Sequence, residues 1–162
     1  MKNMKCSLII FISLFILSSC SEDNDAPTCP QSENISMKIN GEVKQFQISG
    51  WGLDLDNDNS GHTLTLQIFS GILNPQQDSY AITLKLPYKK TGTNIIEEFN
   101  YFRVQNTSSF EGNFVPGELQ SKVKVNRNTC FSATFSGRAI IDGNEIIITE
   151  GIINHVYSNP FD

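Results

Sequence analysis

Alternation of apolar and polar residues with a period of two is the pattern that most constrains how this chain folds. "HTLTLQIFS" places Leu64, Leu66 and Ile68 on one face of an extended segment, and "YAITLKL" repeats the pattern from Tyr80 to Leu86. Successive side chains of a β-strand point to opposite faces, so each segment has one face suited to a core. No window after residue 30 shows a convincing helical period. The chain is therefore predicted to be all-β.

Turn residues divide the rest of the chain into further strands. Asn40-Gly41 separates "ISMKI" from "EVKQFQIS", and Asp142-Gly143 separates "GRAII" from "NEIIITEGIINHVY". Both pairs tolerate the positive φ that a two-residue hairpin requires. Residues 105–117 form the longest polar stretch and are predicted to be a loop at one rim. About eight strands result, for which an antiparallel β-sandwich is the default arrangement and a partly closed β-barrel is the alternative.

The N-terminal segment has the features of a secretory signal. Lys2 and Lys5 precede an apolar run from Leu8 to Leu17, which is shorter than the about 20 residues that a membrane-spanning helix needs. The run ends in Leu17-Ser18-Ser19-Cys20, which resembles the lipobox of bacterial lipoproteins. The resemblance implies that residues 1–19 are removed as a signal peptide and that Cys20 becomes the mature N-terminus, held at a membrane by acyl chains.

An acidic segment follows the cysteine. Residues 21–25, "SEDND", are too short and polar to bury a core and are predicted to be a solvated tether. An acidic run at this place resembles the surface-export signal of Bacteroidota lipoproteins. This implies an outer-membrane location, lipid-anchored and facing outward, with a periplasm-facing orientation as the alternative. The predicted organisation is a signal peptide over 1–19, a lipidated tether over 20–33 and a β-sandwich domain over 34–162.

Two further segments carry a resemblance. "MKINGEVKQF" and "FSATFSGRAIIDGNEIIITEGIINHVY" resemble the first and last strands of small Bacteroidota lipoproteins whose domain has no known function. The likeness leaves residues 52–125 uncovered and implies no activity.

Net charge narrows the classes of partner that this protein can bind. Lys2 and Lys5 leave with the signal, so 12 basic residues become 10 against 17 acidic residues, and the formal charge falls from −5 to −7. This balance argues against nucleic acid and against adsorption on anionic lipid heads.

Processing leaves two cysteines for a disulfide, Cys29 and Cys130, because Cys6 lies in the signal and Cys20 is the anchor. In "TCFSATF", Cys130 alternates with Phe131 and faces outward if the aromatic face is the core. An N-terminal segment carrying Cys29 can lie there. Paired and free thiols both stay open at this point, since a disulfide persists outside the cytoplasm.

The segment "DLDNDNSGH" is the candidate metal loop. Asp54, Asp56, Asp58 and Ser60 alternate before Gly61, and calcium binds several such oxygens in loops of this form. Gln67 occupies the position where the motif needs a bidentate glutamate. A solvated acidic loop without a cofactor is the simpler interpretation, and calcium is the alternative.

Catalytic patterns are missing from the sequence. His62 and His155 have no metal-ligand spacing and are predicted to be surface residues, and no G-x-S-x-G elbow or nucleotide fingerprint occurs. The chain is predicted not to be an enzyme.

Aromatic residues near strand ends are the candidate ligand platform. Trp51, Tyr88 and Tyr101 are the best placed to stack on a sugar or a partner protein, although each is also suited to packing. The predicted function is a non-catalytic binding module for a glycan or a host or partner protein. The alternative is an envelope structural or accessory lipoprotein with no small-molecule ligand. An exposed Trp51 in a concave acidic patch favours binding, and a buried one favours the structural role.

Overall fold

The fold consists of β-strands. The structure, a computed structural model, describes residues 27–56, 61–70, 79–105 and 108–161. The predicted signal, Cys20 and the acidic segment lie outside these residues. The described strands are β1 Asn34–Ile39, β2 Glu42–Leu55, β3 His62–Ser70, β4 Ser79–Pro87, β5 Gly92–Thr93, β6 Glu98–Gln105, β7 Ser108–Phe114, β8 Gln120–Asn126, β9 Cys130–Ile141 and β10 Asn144–Val156. The prediction of an all-β fold is confirmed. Among the described residues there is no helix of the length and apolarity needed to cross a membrane.

Eight strands close into a ring. Their order is β10–β1–β2–β3–β4–β6–β7–β9, and β9 pairs again with β10. The arrangement is therefore the barrel predicted as the alternative, and not two separate sheets, because β10 bonds to β1 along one edge and to β9 along the other. Strands β8 and β5 branch from the ring: β8 pairs with the first half of β9, and β7 pairs with its last residues.

The inward faces of the ring form the core. Pairing register places one inward-facing residue from each of six neighbouring strands side by side, in the order Ile48, Ile68, Ile82, Tyr101, Gly112 and Ile141. The predicted alternation is confirmed in β3 and β4, where Leu64, Leu66, Leu84 and Leu86 are fully buried. Each such side chain contributes about 1.5–3 kcal/mol by leaving water.

Both predicted hairpins are present. Asn40 and Gly41 have φ of 49° and 86°, and Asp142 and Gly143 have φ of 48° and 74°, as a two-residue turn with positive φ at both positions requires. The two turns lie at the same end of the ring, here named the hairpin end. The opposite end, which holds Cys29 and the end of β4 at Pro87, is named the tether end.

The predicted rim loop over residues 105–117 is wrong in part, because residues 108–114 form β7. This segment reads as polar, yet Phe110, Gly112 and Phe114 alternate on one side of the strand. Gly112 pairs with Ile141 of β9 and carries no side chain to keep the two strands apart. Because Gly112, at the centre of this segment, has no apolar side chain, the sequence does not show the alternation typical of a strand.

A disulfide bond joins the N-terminal segment to the ring. Cys29 and Cys130 are bonded, with their Cα atoms 5.7 Å apart and 101 positions apart in the chain. The side chains of Cys130 and Phe131 point to opposite faces of β9. Cys130 is nevertheless fully buried, because the bonded segment covers it. Every strand that the structure describes, and the disulfide, follow residue 27, so a fragment that begins at Ala26 contains the whole described fold.

Candidate functional site

A pocket of about 440 Å³ opens at the hairpin end of the ring. This volume lies within the about 300–1,000 Å³ of small-molecule sites. Its lining combines aromatic rings, an aliphatic floor and a polar rim: Tyr80, Tyr101, Phe110, Ile39, Ile141, Ile146, Asn40, Arg103, Asp142, Asn144 and Glu145. We name it the hairpin-end pocket.

Strand register explains why these rings converge. Arg103 on β6 is the direct partner of Tyr80 on β4 and of Phe110 on β7, so the three side chains stand in one row on the inner face. Tyr101 is the next inward-facing residue on β6, and its ring centroid lies 5.7 Å from that of Tyr80. The aromatic side of the pocket is thus built by three neighbouring strands and not by a single motif.

Hydrogen bonds of the backbone and of two asparagine side chains hold the rim of the pocket. The N–H of Asn40 donates to the carbonyl of Ile147 at 2.8 Å, and the N–H of Ile147 donates to Oδ1 of Asn40 at 2.8 Å. The Asn144 amide donates to the carbonyl of Asp142 at 3.2 Å. The first two bonds tie the first hairpin turn to β10 and the third stays within the second hairpin, so the rim is formed before a ligand arrives.

Charged groups lie near the aromatic side chains of the pocket. Lys44 places its Nζ 5.8 Å from the Tyr80 ring centroid and 2.9 Å from Oε2 of Glu42. The hydrogen bond from Lys44 and the positive charge of its ammonium lower the pKa of Glu42. On the other side, Glu145 accepts from Arg138 at 2.8 Å. Donors, acceptors and ring faces together match a polyhydroxylated ligand such as a sugar, which presents hydroxyls and C–H faces.

A second group of aromatic side chains lies at the tether end. Trp51 is 5.7 Å from His155 and 5.6 Å from Tyr157, and Phe161 joins Tyr157 at 4.8 Å and Tyr88 at 5.6 Å, between ring centroids. We name these five residues the tether-end cluster. The rings pack directly against one another and against the core.

The three aromatic residues predicted as a ligand platform do not come together. Trp51 and Tyr88 are half-buried in the tether-end cluster, whereas Tyr101 is fully buried and lines the hairpin-end pocket. Trp51 faces inward because a bulge in β2 between Ile48 and Gly50 shifts the alternation by one residue. Its ring packs against the core instead of standing free beside the acidic loop.

His155 is buried, with 7% of its surface exposed, so its prediction as a surface histidine is wrong. It shares the inward face of β10 with Ile153, two residues before it, and Tyr157 continues this side of the chain. Its Nδ1 lies 3.4 Å from Oε1 of Glu33, close enough for an ion pair but without hydrogen-bond geometry. The alternation in "IINHVY" is the signal that places this histidine inside.

Tyr157 makes stability depend on alkaline pH. Its hydroxyl is buried without a hydrogen-bond partner among the described residues, and burial, followed by the charge of Tyr88, raises its pKa. Unfolded tyrosine ionises near pH 10. The contribution of Tyr157 to the free energy of unfolding is therefore fully present below about pH 10 and is lost as the pH rises towards its folded-state pKa.

We expect the melting temperature to fall above pH 10 more steeply in the wild type than in Tyr157→Phe, as measured by thermal unfolding between pH 8 and 11.5. Parallel pH profiles would contradict this assignment.

The candidate calcium loop lies partly outside the described residues, which exclude Asp58 and Ser60. Asp54 belongs to β2 and not to the loop, where it pairs with Thr63 and is exposed. Asp56 accepts a hydrogen bond from Oγ1 of Thr63 at 2.7 Å. The described part of the chain contains no group of three or more potential metal ligands.

No family model, curated protein or solved structure matches this chain. The chemistry of the hairpin-end pocket is therefore the basis for a function. Of its residues, only Tyr101 was identified from the sequence. Tyr80, Arg103 and Phe110 become neighbours only through strand pairing, and "SSF" at the start of β7 has no local signature of a site.

Proposed function

We propose that this protein is a lipid-anchored cell-envelope module that binds a glycan in the hairpin-end pocket, without catalysis. The observation that carries the proposal is the row Tyr80–Arg103–Phe110 on the inner face of an open strand end. Ring faces there lie beside amide and charged groups, the combination that recognises sugars by stacking and hydroxyl bonding. The Glu145 carboxylate is engaged by Arg138 at 2.8 Å, which supports a binding role over acid–base chemistry.

The placement of the pocket fits an anchored receptor. Strand β4 runs from Ser79 at the hairpin end to Pro87 at the tether end, so the pocket and the N-terminal segment lie at opposite ends of the ring. An acyl chain on Cys20 would hold the tether end towards the membrane and leave the pocket open to the surroundings. The arrangement is compatible with display on the outer surface of the outer membrane, which the acidic run after Cys20 favours.

A glycan array probed with the fragment from Ala26 onward tests the proposal. We expect the wild type to bind a defined set of glycans, and Phe110→Ala to weaken that binding about tenfold or more, equivalent to about 1.4 kcal/mol, because one stacking ring is lost. Phe161→Ala removes a half-buried ring from the opposite end and is the matched control, for which we expect unchanged affinity. An empty array, or an equal loss in both variants, would contradict binding in this pocket.

An envelope structural or accessory role is the second candidate. It is favoured by Trp51, whose ring contacts His155 and Tyr157 and has become part of the packing. An array without bound glycans, together with a wild-type melting temperature that no sugar changes, would transfer the proposal to this role.

A further inference from the structure

A basic cleft of about 360 Å³ lies at the tether end, apart from the hairpin-end pocket. Lys89, Lys124 and Arg127 line it together with Pro27, and no carboxylate of the described residues does so. The side chains of all three cations are exposed. Three of the ten basic residues of the mature chain thus meet at one place, although that chain has a formal charge of −7.

Lys89 projects from the turn after β4, Lys124 from β8 and Arg127 from the turn after β8, and hydrogen bonds join these segments. The Asn126 amide donates to the carbonyls of Pro87 and Lys90 at 2.9 and 3.0 Å, and Asn126 itself is 3% exposed. The N–H of Arg127 donates to the carbonyl of Cys130 at 3.0 Å. The backbone that carries the three charges is therefore fixed, which lowers the entropy cost of binding an anion between them.

The chain leaves the fold at this cleft. Pro27 lines it, and the disulfide at Cys29 holds this segment against β9. Seven positions separate Pro27 from Cys20, and a fully extended chain spans at most about 25 Å over that length. A lipid on Cys20 therefore keeps the cleft within about 25 Å of the membrane surface.

We propose that the basic cleft docks on the phosphates of anionic lipid headgroups and so orients the domain on its membrane. The inference rests on lipid anchoring at Cys20, which is part of the proposed function. Lys and Arg near an anionic surface each strengthen binding about fivefold. The cleft adds a local attraction that the negative charge of the whole chain conceals, and it turns the hairpin-end pocket away from the bilayer.

Vesicle co-sedimentation tests the docking separately from the anchor. The fragment from Ser21 onward, which carries no lipid, is mixed with vesicles of phosphatidylcholine and phosphatidylglycerol at 7:3 or of phosphatidylcholine alone. We expect binding to the anionic vesicles only, weakened about 25-fold in Lys124→Gln/Arg127→Gln because two cations are lost. Lys38→Gln/Lys85→Gln changes the net charge equally and lies outside the cleft, so its binding should stay close to that of the wild type. Equal binding to both vesicles, or equal losses in both variants, would overturn the proposal.

Two alternative occupants are separated by the same assay. If the acidic residues of the tether fill the cleft, the fragment from Ala26 binds anionic vesicles and the fragment from Ser21 does not, which overturns membrane docking. If the cleft selects free phosphate, millimolar inorganic phosphate releases the protein from the vesicles at constant ionic strength. This result also overturns membrane docking. Mass spectrometry of the full chain reports acylation of Cys20 independently, so a failed anchor and a failed docking surface give different results.

Discussion

Reduction of the Cys29–Cys130 disulfide is expected to lower the free energy of unfolding by up to about 4.7 kcal/mol, because the bond closes a loop of about 100 residues in the unfolded chain. For a domain of this size the loss corresponds to a fall in melting temperature of about 15–20 °C. The bond joins the segment before β1 to the first residue of β9, so six of the eight ring strands lie inside the closed loop, and β9 and β10 follow it. Thermal unfolding with and without reductant measures the difference.

Cys29→Ser provides the matched variant, since Cys29 is only half-buried and its replacement leaves the buried Cys130 in place. We expect its melting temperature to equal that of the reduced wild type and to be insensitive to reductant. A reduced protein that melts at the same temperature as the oxidised one would show that the bond fastens only the N-terminal segment and does not stabilise the ring.

Gly112→Ala is expected to destabilise the fold by about 3 kcal/mol, at the upper end of overpacking effects. A Cβ at this position would lie 2.5 Å from the carbonyl oxygen of Ile140 and would clash with Cγ1 of Ile141. Because one of the blocking atoms belongs to the backbone, a rotamer change cannot relieve the contact. Gly112 is one of the three residues that pair β7 with β9, so the strain falls on the seam that closes the ring. Denaturant unfolding measures the loss.

Gly52→Ala is the control for this substitution. Nothing lies within 4 Å of a Cβ at Gly52 in β2, so we expect a change of less than about 1 kcal/mol, of either sign. If both alanine variants were equally stable, the close approach of β7 to β9 would not be a requirement of the fold. A selective loss of the β7–β9 amide protection in Gly112→Ala, seen by hydrogen exchange, would locate the effect at the seam.

Several parts of the fold were predictable because their causes are local. The alternation in β3 and β4 depends only on the period of a strand, and the turns at Asn40-Gly41 and Asp142-Gly143 depend on residues that accept positive φ. The interpretation of residues 105–117 as a loop failed for the opposite reason. Gly112 has a place in β7 only because Ile141, far away in sequence, approaches it closely.

The candidate site was less predictable than the strands. Tyr101 was a candidate from its position near a strand end, but Tyr80, Arg103 and Phe110 become neighbours through the pairing of three strands. Trp51 is not part of a ligand platform, because one bulge in β2 turns its indole ring inward. A one-residue shift reverses the face of every following side chain, and the sequence contains no local mark of it.

The sequence by itself determined where the strands and tight turns lie, because hydrophobic period and turn chemistry act over a few neighbouring residues. Only the tertiary structure decided that the sheet closes into a ring and which side chains meet at its two ends. Closure requires β10 to pair with both β1 and β9. These contacts join residues more than a hundred positions apart as well as neighbours in a hairpin, and their energy depends on the register of the whole sheet.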